Sequence, residues 1–198
     1  MSWPYSTYGI PDDQFMRDEE IPMTKEEIRV LALSKLRIAR GFTLVDVGSG
    51  TGSVTVEMAL AVGSMGKVIA IDNNPKAVEL TKRNAERFGV LERVDVRFGD
   101  ALEVLRNLEV RIDGAFIGGA SNEIEEAIRI LDQRLRKGAR IVTDAIQIET
   151  AYKAIKALEL LRYDVDVTMV TISKGRKTST GYALLARNPI VIITGEKR

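Results

Sequence analysis

The 198-residue chain contains no cysteine and no histidine. The first absence removes disulfides and thiolate nucleophiles; the second removes imidazole general bases and histidine metal sites. No metal centre is therefore expected. No apolar run is long enough to cross a bilayer and no signal peptide is visible, which predicts a cytoplasmic protein without a membrane partner. An excess of one charge is lacking as well. With 29 Lys and Arg against 28 Asp and Glu, the net charge is +1, so no whole-molecule field draws the chain to nucleic acid. What is present, 45% hydrophobic and 29% charged residues, suits one domain over residues 1–198. Such a domain buries roughly 70% of its unfolded surface.

The richest stretch runs from Leu44 to Ser53. An apolar run interrupted by Asp46 leads into Gly48-Ser49-Gly50-Thr51-Gly52, and a helix-compatible segment begins at Ser53. Glycines at alternate positions let a strand turn tightly into a helix and lie close to a ligand. Free N–H groups at the helix start can then meet a carboxylate or phosphate. The plain alternative is a tight turn with no ligand. A dinucleotide site would need glycine where this chain has Ser53. Asp46 would repel a pyrophosphate but receive an ammonium, directly or through water. An amino-acid-bearing nucleoside fits both features. The pattern resembles the first motif of the Rossmann-like methyltransferases, whose cofactor is S-adenosylmethionine.

Around this stretch, strands and helices alternate. Residues 1–22 are irregular; a disordered tail is the plain alternative, while four scattered aromatics argue for packing on something, with the ligand cleft as the expected place. Thr24-Lys25-Glu26-Glu27 has the form of a capping box with Thr24 as N-cap, opening a helix to about residue 38. Strands are expected at 42–47, 67–71, 94–98, 112–117 and 140–143. Helices are expected at 53–62, from Pro75 under an Asn74 cap, and at 101–108, 123–135 and 149–161. That alternation predicts an α/β fold with a mostly parallel seven-stranded sheet. It fails after Tyr163. Residues 164–173, 182–186 and 190–193 look like strands, with Lys174-Gly175-Arg176-Lys177 as a polar turn. The absence of room for a crossover helix predicts an antiparallel C-terminal hairpin.

Several residues carry chemistry in this frame. Asp72 closes the second strand and can accept both ribose hydroxyls; a solvated strand end is the bland alternative. Asp100 can take an adenine amino group, with the Ala101 N–H on the ring, while also serving as a helix N-cap. Gly118-Gly119 ends the fourth strand beside the topological switch point, leaving room for a bulky substrate without supplying a base. Lys174, Arg176 and Lys177 form a basic loop that is either a solvated turn or a site for an acidic substrate, and Lys25 and Arg29 lie on one helix face that can add to it.

Residues 9–15 (Gly-Ile-Pro-Asp-Asp-Gln-Phe), 22–29 (Pro-Met-Thr-Lys-Glu-Glu-Ile-Arg), 45–55, Gly118-Gly119, Lys174-Gly175-Arg176 and Asn188-Pro189 together resemble the decarboxylating cobalt-precorrin-6B methyltransferases of cobalamin biosynthesis. The resemblance spans nearly the whole chain. It implies S-adenosylmethionine as cofactor, a tetrapyrrole substrate, methylation at C-15 and loss of the ring C acetate as carbon dioxide. It also implies a homotetramer. By position, Thr24, the loop Gly48, Ser49, Gly50, Thr51, Gly52 and Ser53, Asp72 and Ala101 correspond to cofactor contacts. The competing readings are an RNA methyltransferase of the tRNA adenine type, which shares the glycine loop, and a non-catalytic cofactor-binding protein.

Overall fold

The computed structural model describes residues 3–119 and 122–198; Met1, Ser2, Ala120 and Ser121 lie outside the described residues. The elements follow in the order Glu26–Leu36 (α1), Thr43–Val47 (β1), Ser53–Val62 (α2), Lys67–Asp72 (β2), Pro75–Arg87 (α3), Val94–Phe98 (β3), Ala101–Arg106 (α4), Ile112–Ile117 (β4), Ile124–Arg134 (α5), Leu135–Ala145 (β5) and Ile148–Leu160 (α6). Asp164–Val170 (β6), Ser173–Lys177 (β7), Tyr182–Ala186 (β8) and Ile190–Glu196 (β9) complete the chain. Seven strands form one sheet in the order β3-β2-β1-β4-β5-β9-β6. Strands β1 to β5 are parallel, and β9 runs antiparallel to both β5 and β6. The expected α/β architecture with an antiparallel end is therefore present. Among the described residues, no helix is long and apolar enough to cross a membrane.

The period-2 alternation of the strands sorts the core into two layers. Val45, Val47, Ile69, Ile71 and Ile117 pack under α4, α5 and α6. Leu44, Val68, Ala70 and Phe116 pack under α1, α2 and α3. Because the order reverses between β1 and β4, their carboxyl ends open a crevice there. Part of the N-terminal segment packs on the α3 side of the sheet. Ile10 and Phe15 are buried, and Phe15 meets Phe88 with ring centroids 5.1 Å apart.

Three local expectations change. Thr24 does not cap α1; the N-cap position is Lys25 without a side-chain bond. The Glu26 N–H instead donates to Asp12 Oδ1 at 2.9 Å, a cap reaching in from the N-terminal segment, which frees Thr24 for other contacts. Residues 174–177 are not a turn but strand β7, paired with β8 from Ser173–Ala186 to Lys177–Tyr182. The turn comes later, closed by the Thr178 N–H on Gly181 O at 2.8 Å. Finally, β5 begins at Leu135 and continues through Ala145, passing Gly138 by a register irregularity against β4. That extension carries Asp144 to the carboxyl edge of the sheet.

Candidate functional site

The glycine loop is gripped by β2, by α3 and by the N-terminal segment at Pro22. Gly48 (φ +77°) and Gly50 (φ +54°) need glycine for conformation and for space: a Cβ would lie 2.6 Å from Gly119 Cα in the first case and 2.5 Å from Pro22 O in the second. The loop N–H groups are all engaged. Those of Gly48 and Ser49 donate to Ile71 O, that of Thr51 to Pro22 O, that of Gly52 to Ser49 O, and that of Gly50 to Asp72 Oδ2. The loop therefore serves as a rigid wall rather than as a rack of free donors. Two residues that sequence reasoning missed hold it from behind. Thr81 Oγ1 donates to Gly50 O and meets Ser49 Oγ; Asn84 donates to Thr51 O and Met16 O and accepts from Met16 N–H. Their signal was available, since both are polar groups on the buried stripe of α3.

In front of the loop lies a cavity of about 290 Å³ bounded by Ile21, Pro22, Gly48, Gly50, Asp72, Asn74, Asp100, Ala101 and the Gly118-Gly119 pair. Asp72 accepts from Gly50 N–H and Asn74 N–H at 2.9 Å each, one on either oxygen. A carboxylate has about four acceptor positions, so both oxygens keep capacity for a ligand. Asp100 Oδ1 caps α4 through Glu103 N–H at 2.9 Å while the residue also lines the cavity, so its two expected roles are compatible.

Asp46, Ser49, Thr51, Gly52 and Ser53 stand behind this lining rather than in it. Strand alternation turns Asp46 to the same face as Leu44, under α2, where it is fully buried and accepts from Thr55 Oγ1. Its Oδ1 is buried without a hydrogen-bond partner among the described residues. Burial raises its pKa from 3.8 to about 7; the Thr55 hydroxyl opposes the shift, and the charges of Asp72 and Asp144 add to it.

A second cavity of about 540 Å³ opens on the other side of Pro22 and Gly118-Gly119, which border both spaces. Its walls are largely apolar, with Met23, Ile28, Ile146, Ile172 and Ile190, and its polar groups include Thr24, Lys25, Asp144, Gln147, Arg187 and Asn188. Thr24 Oγ1 faces Asp144 Oδ2 at 3.4 Å. Burial raises Asp144 from 3.8 to about 6, with the Thr24 contact opposing it. Arg187 is held by Glu27 Oε2 at 3.0 Å, and Lys174 pairs with the same carboxylate from outside.

The expected basic loop is thus not brought to the cavity. Lys174, Arg176 and Lys177 sit exposed on β7. Nor is Arg29 an external cation: it is fully buried and bound to Glu57. The cations that do line the larger cavity are Lys25 and Arg187. Asp144 was missed because the expected strand ended one residue before it.

Comparison with known proteins follows the same outline. The family model described as Precorrin methyltransferase domain matches residues 13–197. The chain is 52% identical over 198 residues to a probable cobalt-precorrin-6B C(15)-methyltransferase (decarboxylating) of Saccharolobus solfataricus, covering 100% of both chains. A protein of the same description from Sulfolobus acidocaldarius is 53% identical over 190 residues, covering 96% of this chain and 98% of that one. Among solved structures, a precorrin 8w decarboxylase of Methanobacterium thermoautotrophicum is similar with a TM-score of 0.88 at 37% identity, covering 94% of this chain and 98% of the other. A precorrin-6Y C5,15-methyltransferase of Geobacter metallireducens also gives 0.88, at 33% identity, covering 96% and 98%.

Proposed function

The chain belongs to the precorrin methyltransferase family, and from that premise we propose that it methylates cobalt-precorrin-6B at C-15 with S-adenosylmethionine, with loss of the ring C acetate as carbon dioxide. The observation that carries this reading is the pair of cavities sharing one glycine wall. The smaller has strand-end acids suited to a nucleoside; the larger has an apolar lining and two cations suited to a flat molecule bearing carboxylates. Methyl transfer across Gly118-Gly119 needs no side chain between donor and acceptor.

The smaller cavity fits S-adenosylmethionine on its own chemistry. Asp72 retains lone pairs for both ribose hydroxyls, Asp100 for the adenine amino group, and Ala101 opens a helix beside the ring. The orphaned Oδ1 of Asp46 and the hydroxyl of Thr24 suit the amino-acid end, with Ser49, Thr51, Gly52 and Ser53 as the structural backing of that end. The cofactor supplies an electrophilic methyl group on a sulfonium. The chain's own task is alignment and exclusion of water, and positioning of this kind can supply roughly 7–11 kcal/mol of a barrier. Pro22, Met23 and Thr24 cover the junction of the cavities, while Lys25 and Arg187 meet substrate carboxylates from the wall. Glu27 fixes the Arg187 guanidinium. Lys174, Arg176 and Lys177 act further out, where a long propionate or a neighbouring subunit can reach them.

A homotetramer goes with this reading, supported by exposed Tyr182 and Leu184 on the β8 arm and Met169 on the edge strand. So does a cytoplasmic location, because both reactants are charged molecules that membranes retain. The described residues act as one domain in which the end of the N-terminal segment, Ile21 and Pro22, closes over the cofactor.

Two measurements test the reading. Methyl transfer alone makes the product heavier than the substrate, whereas methyl transfer with loss of carbon dioxide makes it lighter. Mass spectrometry after incubation with cobalt-precorrin-6B is expected to find the lighter product; a heavier one retaining every carboxylate refutes the decarboxylating part. Methylation of bulk tRNA with no tetrapyrrole turnover refutes the substrate class. Asp72→Ala is expected to weaken S-adenosylmethionine binding by roughly 1.5–3 kcal/mol, the worth of a charge-assisted hydrogen bond. Unchanged affinity by calorimetry would remove the ribose role.

A further inference from the structure

A decarboxylating methyl transfer leaves a proton to be delivered. When a carboxylate departs as carbon dioxide, its C–C bond breaks and the electron pair stays on the remaining carbon or on the π system joined to it. That carbon becomes saturated only when a proton arrives. A macrocycle that has gained a methyl cation, lost carbon dioxide and taken a proton carries one positive charge, which it sheds by releasing a proton from another C–H or N–H bond. A group is needed at the substrate that gives one proton and takes another.

The chain has no histidine or cysteine for this purpose. Among the described residues lining the larger cavity, Asp144 is the only carboxyl group. Lys25 and Arg187 face the same space as cations, suited to pairing with substrate carboxylates. The position of Asp144 is fixed. Thr143 Oγ1 donates to Ile117 O at 2.6 Å and Thr143 pairs with Ile117 in the sheet, so the next residue along stands beside Gly118 at the shared wall. Thr24 Oγ1, at 3.4 Å, approaches one of its two carboxylate oxygens. We infer that Asp144 is the acid–base residue of the decarboxylation: its O–H bond breaks as the new C–H bond forms, and the carboxylate then recovers the proton that the macrocycle releases. The inference rests on the decarboxylating reading above. The raised pKa of about 6, caused first by burial, leaves both protonation states populated near neutrality, which such a role requires.

The test is a single turnover of cobalt-precorrin-6B followed by three separate signals: S-adenosylhomocysteine formed, carbon dioxide released, and the final absorbance change of the macrocycle. With Asp144→Asn, the first two are expected within about fivefold of wild type. The last is expected to slow by roughly 10²–10⁴-fold, the usual contribution of a general acid–base group. A tautomer of product mass but different absorbance then accumulates. Asp144→Glu, which keeps the carboxyl, is expected to restore the last step to within about tenfold, following the same acid–base logic. An Asn variant whose last step stays within threefold of wild type overturns the inference, and so does an equal slowing of all three signals. If the wild type turns over no tetrapyrrole, the functional reading falls, and this inference with it.

Discussion

Glu57→Ala is expected to lower the stability of the folded chain by about 3–5 kcal/mol, the usual loss when one partner of a buried ion pair is removed. Arg29 and Glu57 are 0% and 2% exposed, and Arg29 Nε lies 2.6 Å from Glu57 Oε1. The carboxylate also accepts from Gly9 N–H at 2.9 Å and Ile10 N–H at 3.2 Å. The guanidinium donates in addition to Asp12, to Thr24 O and to Ile10 O, and lies over the Phe15 ring. Truncating Glu57 thus leaves the buried Arg29 with Asp12 as its one remaining carboxylate and strands two backbone donors. Each stranded polar group costs about 1–3 kcal/mol. Because the network ties residues 9–12 to α1 and α2, the variant should also release the N-terminal segment. Urea unfolding measures the first effect; proteolysis of the native protein near Ile10 measures the second. A midpoint equal to wild type would mean that the pair contributes little.

That network also marks where sequence reading stops. The placement of Asp72, Asp100, Gly48 and Gly50 at the smaller cavity was legible because their spacing relative to strand ends is local, and strand–helix alternation gives the sheet from periodicity alone. Arg29 was misread as an outward cation because a helix face is declared inward or outward by what packs on it. Here the packing partner is a segment of the N-terminus whose own path no periodicity encodes. Thr24 followed the same course. Its spacing to Glu27 satisfies a capping box, yet Asp12 takes over the cap from a distance and Thr24 turns to Asp144. The basic residues of β7 fell outside the cavity for a related reason. Lys174, Arg176 and Lys177 with a glycine among them read as a turn, but pairing with β8 is a long-range choice that overrides local composition. The most consequential omission, Asp144, turned on one residue of strand length, set by the pairing of Asp144 with Ile192 and of Ala145 with Val191 on β9, a long-range contact that local sequence does not encode.

Asp46→Asn is expected to do the reverse of Glu57→Ala, by a margin that grows as pH rises from about 4 to about 7. The folded carboxyl binds its proton more tightly than the unfolded one, with a pKa raised from 3.8 to about 7 by burial first and by Asp72 and Asp144 next. Between those values the folded chain holds more protons than the unfolded chain, so stability falls as pH rises through this window and levels off above about 7. Asparagine has nothing to ionise and can still accept from Thr55. At about 1.4 kcal/mol for each tenfold change in proton affinity, the variant should gain about 4 kcal/mol on wild type between pH 4 and pH 8. Asp144 titrates in the same direction in both proteins and largely cancels from the difference. Urea titrations of both chains at the two pH values measure it, and parallel pH dependence would show that Asp46 is not held in this way. S-adenosylmethionine should shrink the gap. An ammonium meeting the unpartnered Oδ1 compensates the buried charge in the wild type and finds only a neutral amide in the variant. A gap that ignores the cofactor would deny Asp46 the ammonium-binding role proposed for it.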